Sequence, residues 1–285
     1  IFGENVLYDA QSFHRCFFLA SPVWFDTMIA QHCMFPGTPK ALDYLASLYC
    51  EFYEFWKDDG KEWHLKQGED SLWSYNCQDC VYTYEIMESQ WSIIHADPRL
   101  FEVWNFQQNT MVKRLFDAMN RGIKANIADK ARLSKELESE IAVREKWLYT
   151  VCNQALNIKS PKQMQTFFYS DLAFKPVINR KTGSPTLDDK ALESLAVKEP
   201  AIRPVVRRVQ ELRSLGVFKS TFVEAKLDRD QRIRSSYNLT GTETFRLSSS
   251  ENAFWTGLNL QNVPMGNEDE DDPRVVLATP SDTSI

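Results

Sequence analysis

Two long amphipathic helical patterns in the middle of the chain constrain its fold most strongly. The first places five apolar residues on one helical face: Trp104, Met111, Val112, Leu115 and Met119. Because glycine commonly terminates helices, we expect this helix to end at Arg121-Gly122. The second has apolar residues three or four positions apart: Leu133, Leu137, Ile141, Leu148, Val151 and Ala155. The two patterns predict an antiparallel helical hairpin with its turn around residues 121–129.

The charged residues divide the chain into an acidic and a basic part. Residues 1–104 contain 6 lysines and arginines against 16 aspartates and glutamates, a formal charge of −10. Residues 105–263 contain 26 against 17, a formal charge of +9. A basic module can face a polyanion such as nucleic acid, whereas an acidic one suits metal ions or solvent. The hydrophobic content of 43% predicts more than one folded domain and excludes a disordered chain.

Membrane insertion and disulfide bonding are not expected. The longest apolar stretch, residues 16–30, is interrupted by Pro22 and Asp26, and it is shorter than the roughly 20 residues that a membrane helix needs. No signal-peptide pattern precedes it. Cys77 and Cys80 lack a second Cys or His pair that would complete a zinc site. We therefore expect reduced thiols in a cytoplasmic protein.

The most specific pattern lies between residues 237 and 264. It contains Thr-Glu-Thr-Phe-Arg-Leu-Ser-Ser at 242–249 and Asn-Leu-Gln-Asn-Val-Pro at 259–264. Four side chains there can donate hydrogen bonds: Arg246, Asn259, Gln261 and Asn262. Minor-groove acceptors occur on every base pair, so such donors can hold duplex DNA without reading its sequence. Taken singly, the arginine could form a surface salt bridge and the amides could cap turns; the four together favour DNA binding.

This segment resembles the junction of thumb and palm in family A DNA polymerases, the DNA polymerase I-like class. The usual form of the junction is T-x-T-G-R-L-S-S-x followed by N-L-Q-N-I-P, and eight or more positions agree in order. Residues 157–165 resemble the thumb's N-x-x-S-x-K-Q-L-Q, and residues 181–186 resemble the linker after it. Residues 218–221 are similar to the family's L-K-S-T-Y, which implies that Lys219 contacts DNA as well. The resemblance covers most of residues 105–280.

Two departures from the family pattern stand out. Phe245 occupies the position where the family usually has glycine, which tolerates a positive φ that phenylalanine resists. The segment 251–257 is longer than in bacterial members and is similar to phage members. The resemblance therefore implies a phage-encoded enzyme that works in the host cytoplasm.

The acidic part resembles a second nuclease module. Asn5-Val-Leu-Tyr-Asp9 is similar to the second motif of DnaQ-like proofreading exonucleases, and Tyr75-Asn-Cys-Gln-Asp79 to the third. A helix over residues 75–88 would put Tyr75 and Asp79 on one face. Two-metal hydrolysis of a phosphodiester needs oxygen ligands and a positioned water. The resemblance implies that Asp9 and Asp79 bind Mg²⁺ or Mn²⁺, that Tyr75 orients the water, and that Asn5 supports them.

These observations predict three modules. Residues 1–104 are expected to be the C-terminal part of an α/β, RNase H-like 3′→5′ exonuclease, residues 105–236 a mostly α-helical polymerase thumb, and residues 237–285 the β-containing start of the palm. The resemblance implies template-directed DNA synthesis with proofreading on primer–template DNA, single-stranded 3′ ends and deoxynucleoside triphosphates. The first exonuclease motif and the palm aspartates are expected outside residues 1–285, so this stretch alone should bind DNA without processing it. The alternatives are an exonuclease or a DNA-clamping module with a degenerate polymerase part.

Overall fold

The computed structural model describes residues 1–19, 22–58, 69–252 and 254–264, which form two compact units. The first unit comprises Ile1–Lys124 and Leu227–Asn262. The second comprises Ala125–Lys226, to which residues 263 and 264 are also assigned. The expected functional boundaries after residues 104 and 236 stay a prediction, because compactness does not assign function.

The first unit is mostly helical. Its helices are α1 (Val6–Phe17), α2 (Thr27–Met34), α3 (Leu42–Tyr49), α4 (Glu69–Ala96), α5 (Pro98–Asn105) and α6 (Val112–Arg121), with a π-helical segment, Phe106–Met111, between the last two. Its strands are β1 (Phe2–Gly3), β2 (Phe25–Asp26), β3 (Ile123–Lys124), β4 (Arg232–Ile233), β5 (Ser235–Asn238) and β6 (Ser248–Glu251). They pair as parallel β1–β2, antiparallel β3–β4 and antiparallel β5–β6.

The second unit is helical throughout its named elements. It contains α7 (Ile127–Cys152), α8 (Pro161–Gln165), α9 (Asp189–Lys198) and α10 (Arg203–Phe218). Two π-helical segments, Thr166–Asp171 and Lys219–Val223, extend α8 and α10, and a 3₁₀ turn, Pro200–Ile202, precedes α10. The expectation of a mostly helical middle of the chain is confirmed.

The sheet content of residues 1–104 is small. In the part of this range that the structure describes, the parallel pair β1–β2 has two residues in each strand. The apolar stretch 5–8 adds no strand, because helix α1 begins at Val6. An RNase H-like sheet for this part of the chain therefore stays a prediction.

One buried carboxylate explains why α1 begins where it does. Asp26, 3% exposed, accepts hydrogen bonds from the backbone N–H groups of Asn5 (3.2 Å) and Val6 (2.8 Å). It also accepts from Met28 (2.9 Å) and Ile29 (3.4 Å) at the start of α2. The first N–H groups of a helix have no partner within the helix, so Asp26 satisfies two helix starts at once.

Helix ends follow local sequence in most places. Gly122 ends α6 with φ +59°, and the Ser160 side chain accepts from Gln163 N (3.3 Å) ahead of Pro161 in α8, both as expected. We predicted from the second apolar stripe that its helix would continue to Ala155, which is too far. Asn153, in the left-handed conformation at φ 50°, ends α7 after Cys152, and Val151 is 50% exposed. The polar cap thus overrides the apolar spacing beyond Leu148.

The predicted helical hairpin joins two compact units, because α6 belongs to the first and α7 to the second. Each helix packs within its own unit. Leu115 and Met119 of α6 join a core with Phe25 and Trp104, whereas Leu148 of α7 joins a core that also contains these residues: Phe168, Leu192, Val209 and Leu212. Full burial of one such side chain contributes about 1.5–3 kcal/mol relative to exposure. The hairpin itself stays a prediction.

The remaining sequence expectations concern sulfur and the membrane. All six cysteines are free thiols, Cys77 and Cys80 being exposed. Among the residues that the structure describes, no helix has the length and apolar character to cross a membrane. The strand expected at residues 275–278 lies outside the described residues.

Candidate nucleic-acid interface

The hairpin β5–β6 forms the frame of the candidate interface. Its strands pair in register from Ser235 opposite Glu251 to Asn238 opposite Ser248. The connecting loop begins with a polar turn, in which the Asn238 side chain accepts from Thr240 N (2.7 Å) and Thr240 Oγ1 (2.9 Å). Near its end, Thr242 Oγ1 donates to the backbone oxygen of Arg246 (2.7 Å). These bonds fix the backbone on both sides of the arginine.

The Arg246 side chain is exposed and free. Its guanidinium forms no hydrogen bond and no ion pair with any residue that the structure describes. Because no described residue pairs with it, all five N–H donors of its planar guanidinium are available to a ligand. Among the described residues, Arg246 therefore does not form the surface salt bridge that the sequence left open as an alternative.

The segment 258–262 is fastened to the hairpin by side chains. Asn259 Oδ1 accepts from Ser249 Oγ on β6 and from Gln261 N (3.0 Å). Gln261 Nε2 donates to Leu247 O (3.0 Å), next to Arg246. The structure thus brings three of the predicted donors together around one loop. The fourth, Asn262, is exposed in the 3₁₀ turn Leu260–Asn262, and its backbone N–H donates to Asn259 O (3.1 Å).

Sequence reasoning missed the residue that ties this turn to β5. Ser235, 2% exposed, donates through Oγ to Leu258 O and accepts from Leu260 N (3.1 Å). Gly257, at φ +77°, precedes the turn where any Cβ would lie 1.8 Å from Arg234 O. A backbone that passes this close to β5 requires glycine. The glycine directly before Leu258 and Asn259 was the sequence feature that could have indicated this close approach.

Lys219 lies in the second unit and is paired. Its ammonium donates to Glu224 Oε1 (2.6 Å) and lies 3.2 Å from Glu138 Oε1. The hydrogen bonds to Glu224 and then to Glu138 raise the pKa of Lys219 above its usual value. A phosphate contact by Lys219, which stays a prediction, would have to share this ammonium with two carboxylates.

The exonuclease-like residues fall into two places in the first unit. Tyr75 and Asp79 lie on one face of α4, as predicted, and Lys57 joins them by donating to Tyr75 Oη (3.2 Å) and Asp79 Oδ1 (2.9 Å). Trp56 Nε1 also donates to Asp79 Oδ1 (2.7 Å). Asp9 lies on α1, where burial raises its pKa. Within the described residues, the Asp79 carboxylate thus accepts from Trp56 and Lys57.

Glu4 is a carboxylate in this region that sequence reasoning missed. Burial raises the pKa of Glu4 to about 7; Lys57 opposes the rise, and Asp26, Asp79 and Asp43 add to it. Its only sequence signal was its position directly before Asn5 of the second motif. No group of three or more His, Cys, Asp or Glu side chains within the described ranges is arranged to hold a metal ion. These residues therefore do not complete a magnesium site by themselves.

Comparison with known proteins identifies the family. The model of the family described as DNA polymerase family A matches residues 128–285, more than half of the chain. The chain belongs to DNA polymerase family A. The matched residues include the second unit from residue 128 onward, the whole loop that carries Arg246, and the 258–262 turn.

Curated family A relatives support the assignment. DNA polymerase I of Synechocystis sp. is 30% identical over 192 residues, covering 66% of this chain and 18% of the relative. DNA polymerase I of Pseudomonas aeruginosa is 25% identical over 254 residues, covering 85% and 27%. The thermostable DNA polymerase I of Thermus aquaticus is 26% identical over 212 residues, covering 72% and 23%. The chain thus spans about a fifth to a quarter of the length of these relatives.

A solved structure shares the fold. The POL domain of Pol1 from M. smegmatis, in complex with DNA primer–template and dNTP, matches with a TM-score of 0.64 and 22% identity. The match covers 94% of this chain and 43% of that chain. At 22% identity, this similarity supports a shared fold and no more than that.

Phe245 keeps a glycine-like backbone at the position where family A usually has glycine. Its φ is +59°, and its ring, 38% exposed, lies 4.3 Å from the ring of buried His32 between centroids. A left-handed backbone costs a non-glycine residue about 1–2 kcal/mol. The ring contact offsets about 0.5–1.5 kcal/mol of this cost.

We expect Phe245→Gly to be more stable than Phe245→Ala by about 1 kcal/mol, because both variants lose the ring contact and only alanine keeps a strained φ. This order is the reverse of the usual preference for alanine in ordinary backbone. Urea unfolding of the two variants measures the difference. Equal stability, or greater stability of the alanine variant, would show that residue 245 does not hold a positive φ.

Proposed function

We propose that the full-length protein is a template-directed DNA polymerase in DNA replication and that this chain holds the primer–template duplex. The observation that carries the proposal is the exposed, unpaired Arg246 beside the anchored 258–262 turn. Family A membership and relatives named DNA polymerase I support it. The M. smegmatis structure, by its description, holds primer–template DNA and dNTP. Primer–template DNA and, for the full-length protein, dNTPs are the proposed partners.

The chemistry of these residues suits a copying enzyme. The guanidinium of Arg246 and the amide groups of Gln261 and Asn262 are donors that a minor groove can accept at any base pair. Ser235 and Ser249 fix the turn, so the donors are held before DNA arrives and less entropy is lost on binding. These residues bind and position the duplex; nucleotidyl transfer requires groups outside them.

We include finer assignments in the proposal. Residues 105–236 act as the thumb, residues 237–285 begin the palm, and the protein is phage-encoded and works in host cytoplasm. The long segment 251–257 supports the phage origin by resemblance. Here Asn252 organises the segment by accepting from Phe254 N (2.8 Å) and Thr256 N (3.3 Å) and donating to Thr256 Oγ1 (2.6 Å).

Binding of this chain to duplex DNA tests the proposal. Residues 125–226 contain 18 lysines and arginines against 12 aspartates and glutamates, so counterion release should drive part of the binding. We expect the affinity, measured by fluorescence anisotropy with a labelled primer–template, to fall at least roughly tenfold between about 50 and 200 mM salt. Replacing exposed Lys159 and Lys162 by alanine should make the slope of log affinity against log salt shallower by about 1 each.

Lys198→Ala, a change of the same charge on α9, serves as the control and should leave the slope nearly unchanged. An affinity that does not respond to salt, or binding that prefers one DNA sequence strongly, would contradict the proposal.

A second activity, 3′→5′ proofreading on single-stranded 3′ ends, is also proposed for the full-length protein. The observation that favours it is the shared face of Tyr75 and Asp79, with Lys57 touching both side chains. Family resemblance implies Mg²⁺ or Mn²⁺ as the cofactor for both activities. Because the described residues lack a complete metal site, the metal stays a prediction and the roles of Asp9 and Asp79 as ligands stay predictions with it.

Asp79→Ala in the full-length protein should abolish degradation of single-stranded 3′ ends, since it removes the carboxylate proposed as a metal ligand and leaves Lys57 bonded to Tyr75 alone. The rate of shortening of a labelled oligonucleotide measures this. Asp97→Ala, which removes an exposed carboxylate on the neighbouring helix start, is the control and should degrade DNA at the original rate. Undiminished degradation by Asp79→Ala would remove the third motif from the active site and favour a DNA-clamping or polymerase-only protein.

A further inference from the structure

The loop that carries Arg246 lies against helix α2 within the first unit. Leu239, buried near the start of the loop, packs in the same core as Ile29 of α2. Farther along the loop, the side chain of Glu243 comes close to the turn after α2, because a Cβ added to Gly37 would lie 3.7 Å from the Glu243 carboxylate. Residues near the start of the chain thus support the loop that is proposed to hold DNA.

A ring contact joins the middle of this loop to α2. The ring centroids of Phe245 and His32 lie 4.3 Å apart, and the two ring planes are inclined by 45°. His32 is 1% exposed, so its imidazole is held by close packing and presents a fixed surface to the phenyl ring. Phe245 directly precedes Arg246, so the contact acts on the backbone next to the arginine.

The imidazole of His32 serves this contact through its ring face. Both ring nitrogens are buried and have no hydrogen-bond partner among the residues that the structure describes. Burial, and then the nearby charge of Lys40, lower the pKa of His32, so the ring is neutral at pH 7. Aromatic rings at this separation attract each other beyond the effect of their burial.

Hydrogen bonds close the turn around the arginine. Phe245 N donates to Thr242 O (3.4 Å), and Thr242 Oγ1 donates to Arg246 O (2.7 Å). Phe245 has φ +59° in this turn, a conformation that glycine adopts without strain. Glycine would also leave the turn free to adopt other conformations, because it has no side chain to pack. The phenyl ring therefore restricts a turn that glycine would leave flexible.

We infer that His32 is a positioning residue for Arg246 and acts through the ring of Phe245. The inference rests on the proposed function, in which Arg246 donates to the minor groove near the primer end. The ring contact holds the backbone of the arginine before DNA arrives, so less conformational entropy is lost on binding. Family A usually has glycine at residue 245, so the His32–Phe245 pair is a feature of this chain rather than of the usual motif.

Primer extension by the full-length protein tests the inference through the ratio of matched to mismatched extension rates. Phe245→Gly and His32→Ala should each lower this ratio roughly twofold to tenfold, the range expected for the loss of one aromatic contact. The double variant should lower it no further than either single change, since both remove the same contact. Phe245→Tyr keeps the ring and should keep the ratio. Phe52→Gly, which removes an 80% exposed ring between α3 and α4, is the control and should leave the ratio unchanged.

A role in stability alone predicts a different result. Lower stability reduces the amount of active protein and therefore lowers both rates by the same factor, so an unchanged ratio in Phe245→Gly would overturn the inference. Because Phe245 is partly exposed, its variants are expected to fold even where His32→Ala does not. In an Arg246→Ala background, Phe245→Gly should not change the ratio further, because the contact acts through the arginine. A further decrease there would also contradict the inference.

Arg246→Ala alone separates this inference from the proposed function. If Arg246→Ala lowers the ratio and Phe245→Gly does not, the proposed function stands and the positioning role of His32 is wrong. If Arg246→Ala leaves the ratio unchanged, the minor-groove role of the arginine is wrong, and the inference is overturned with it.

Discussion

Asp26→Ala is expected to lower the free energy of unfolding of the first unit by about 3–5 kcal/mol. The reason is that one buried carboxylate accepts from four backbone N–H groups, two at the start of α1 and two at the start of α2. Loss of a single helix cap costs typically about 1 kcal/mol, and a buried N–H left unpaired costs about 1–3 kcal/mol. Losing two buried caps should therefore lower the free energy of unfolding several times more than losing one exposed cap.

Urea unfolding followed by tryptophan fluorescence measures this loss, because seven of the eight tryptophans lie within residues 1–124 or 227–262. Asp97→Ala is the matched control. Asp97 caps only α5, through Arg99 N (2.9 Å) and Leu100 N (3.4 Å), and it is exposed, so its loss should cost about 1 kcal/mol. Equal costs for the two variants would show that Asp26 does not hold both helices.

The same carboxyl predicts a pH dependence. Burial raises the pKa of Asp26 from 3.8 to about 6, although its hydrogen bonds to backbone N–H groups oppose the rise. The folded state then binds this proton more tightly than the unfolded state, so stability should fall as pH rises from about 4 to 6. In Asp26→Ala this part of the slope should disappear. A weaker slope should persist up to about pH 7, because Glu4 also titrates there in the folded state.

Local signals in the sequence predicted one helix end, at Arg121-Gly122, and one helix start, at Ser160-Pro161. Gly122 and the Ser160-Pro161 pair act on neighbouring residues only, so their effect can be read without knowing the fold. Asn153 also ends a helix locally, and the apolar spacing of Val151 and Ala155 concealed it. Where a polar cap and an apolar stripe disagree, the cap determined the end in this protein.

Contacts between distant residues were not predictable from the pattern. Asp26 caps a helix that begins 20 positions earlier, and Lys57 reaches Asp79 from 22 positions away. Neither distance is fixed by spacing along one helix or strand. The start of helix α1 depends on one of these distant contacts, because the carboxylate of Asp26 accepts from the backbone N–H groups of Asn5 and Val6.

The candidate site was predictable to a greater degree. The motif brought Arg246, Asn259, Gln261 and Asn262 to attention, and the structure joins the last three to the Arg246 loop by short-range bonds. The anchor Ser235 was missed because it lies 23 residues before its partner Leu258. The surroundings of Lys219 were not predicted, because the sequence match did not indicate that Glu138 and Glu224 would pair with it.

Arg246→Ala in the full-length protein should slow extension of a matched primer end by roughly tenfold to hundredfold. In the proposed function the arginine donates to a minor-groove acceptor near the primer terminus, and a charge-assisted hydrogen bond is worth about 1.5–3 kcal/mol. A mismatch moves that acceptor, so extension from a mismatched end already lacks the bond and should change little. Arg246→Lys should restore little activity, because one ammonium cannot reproduce the planar fork.

The ratio of matched to mismatched extension rates, compared between Arg246→Ala and the original full-length protein, shows whether Arg246 checks the geometry of the primer end. Arg114→Ala, which removes the same charge from an exposed position on α6, is the control and should leave the ratio unchanged. We expect Arg246→Ala to lower the ratio by roughly tenfold or more, almost entirely through the matched rate. If both rates fall by the same factor and the ratio stays constant, Arg246 is a phosphate or structural contact, and the duplex-checking role proposed for this loop is wrong.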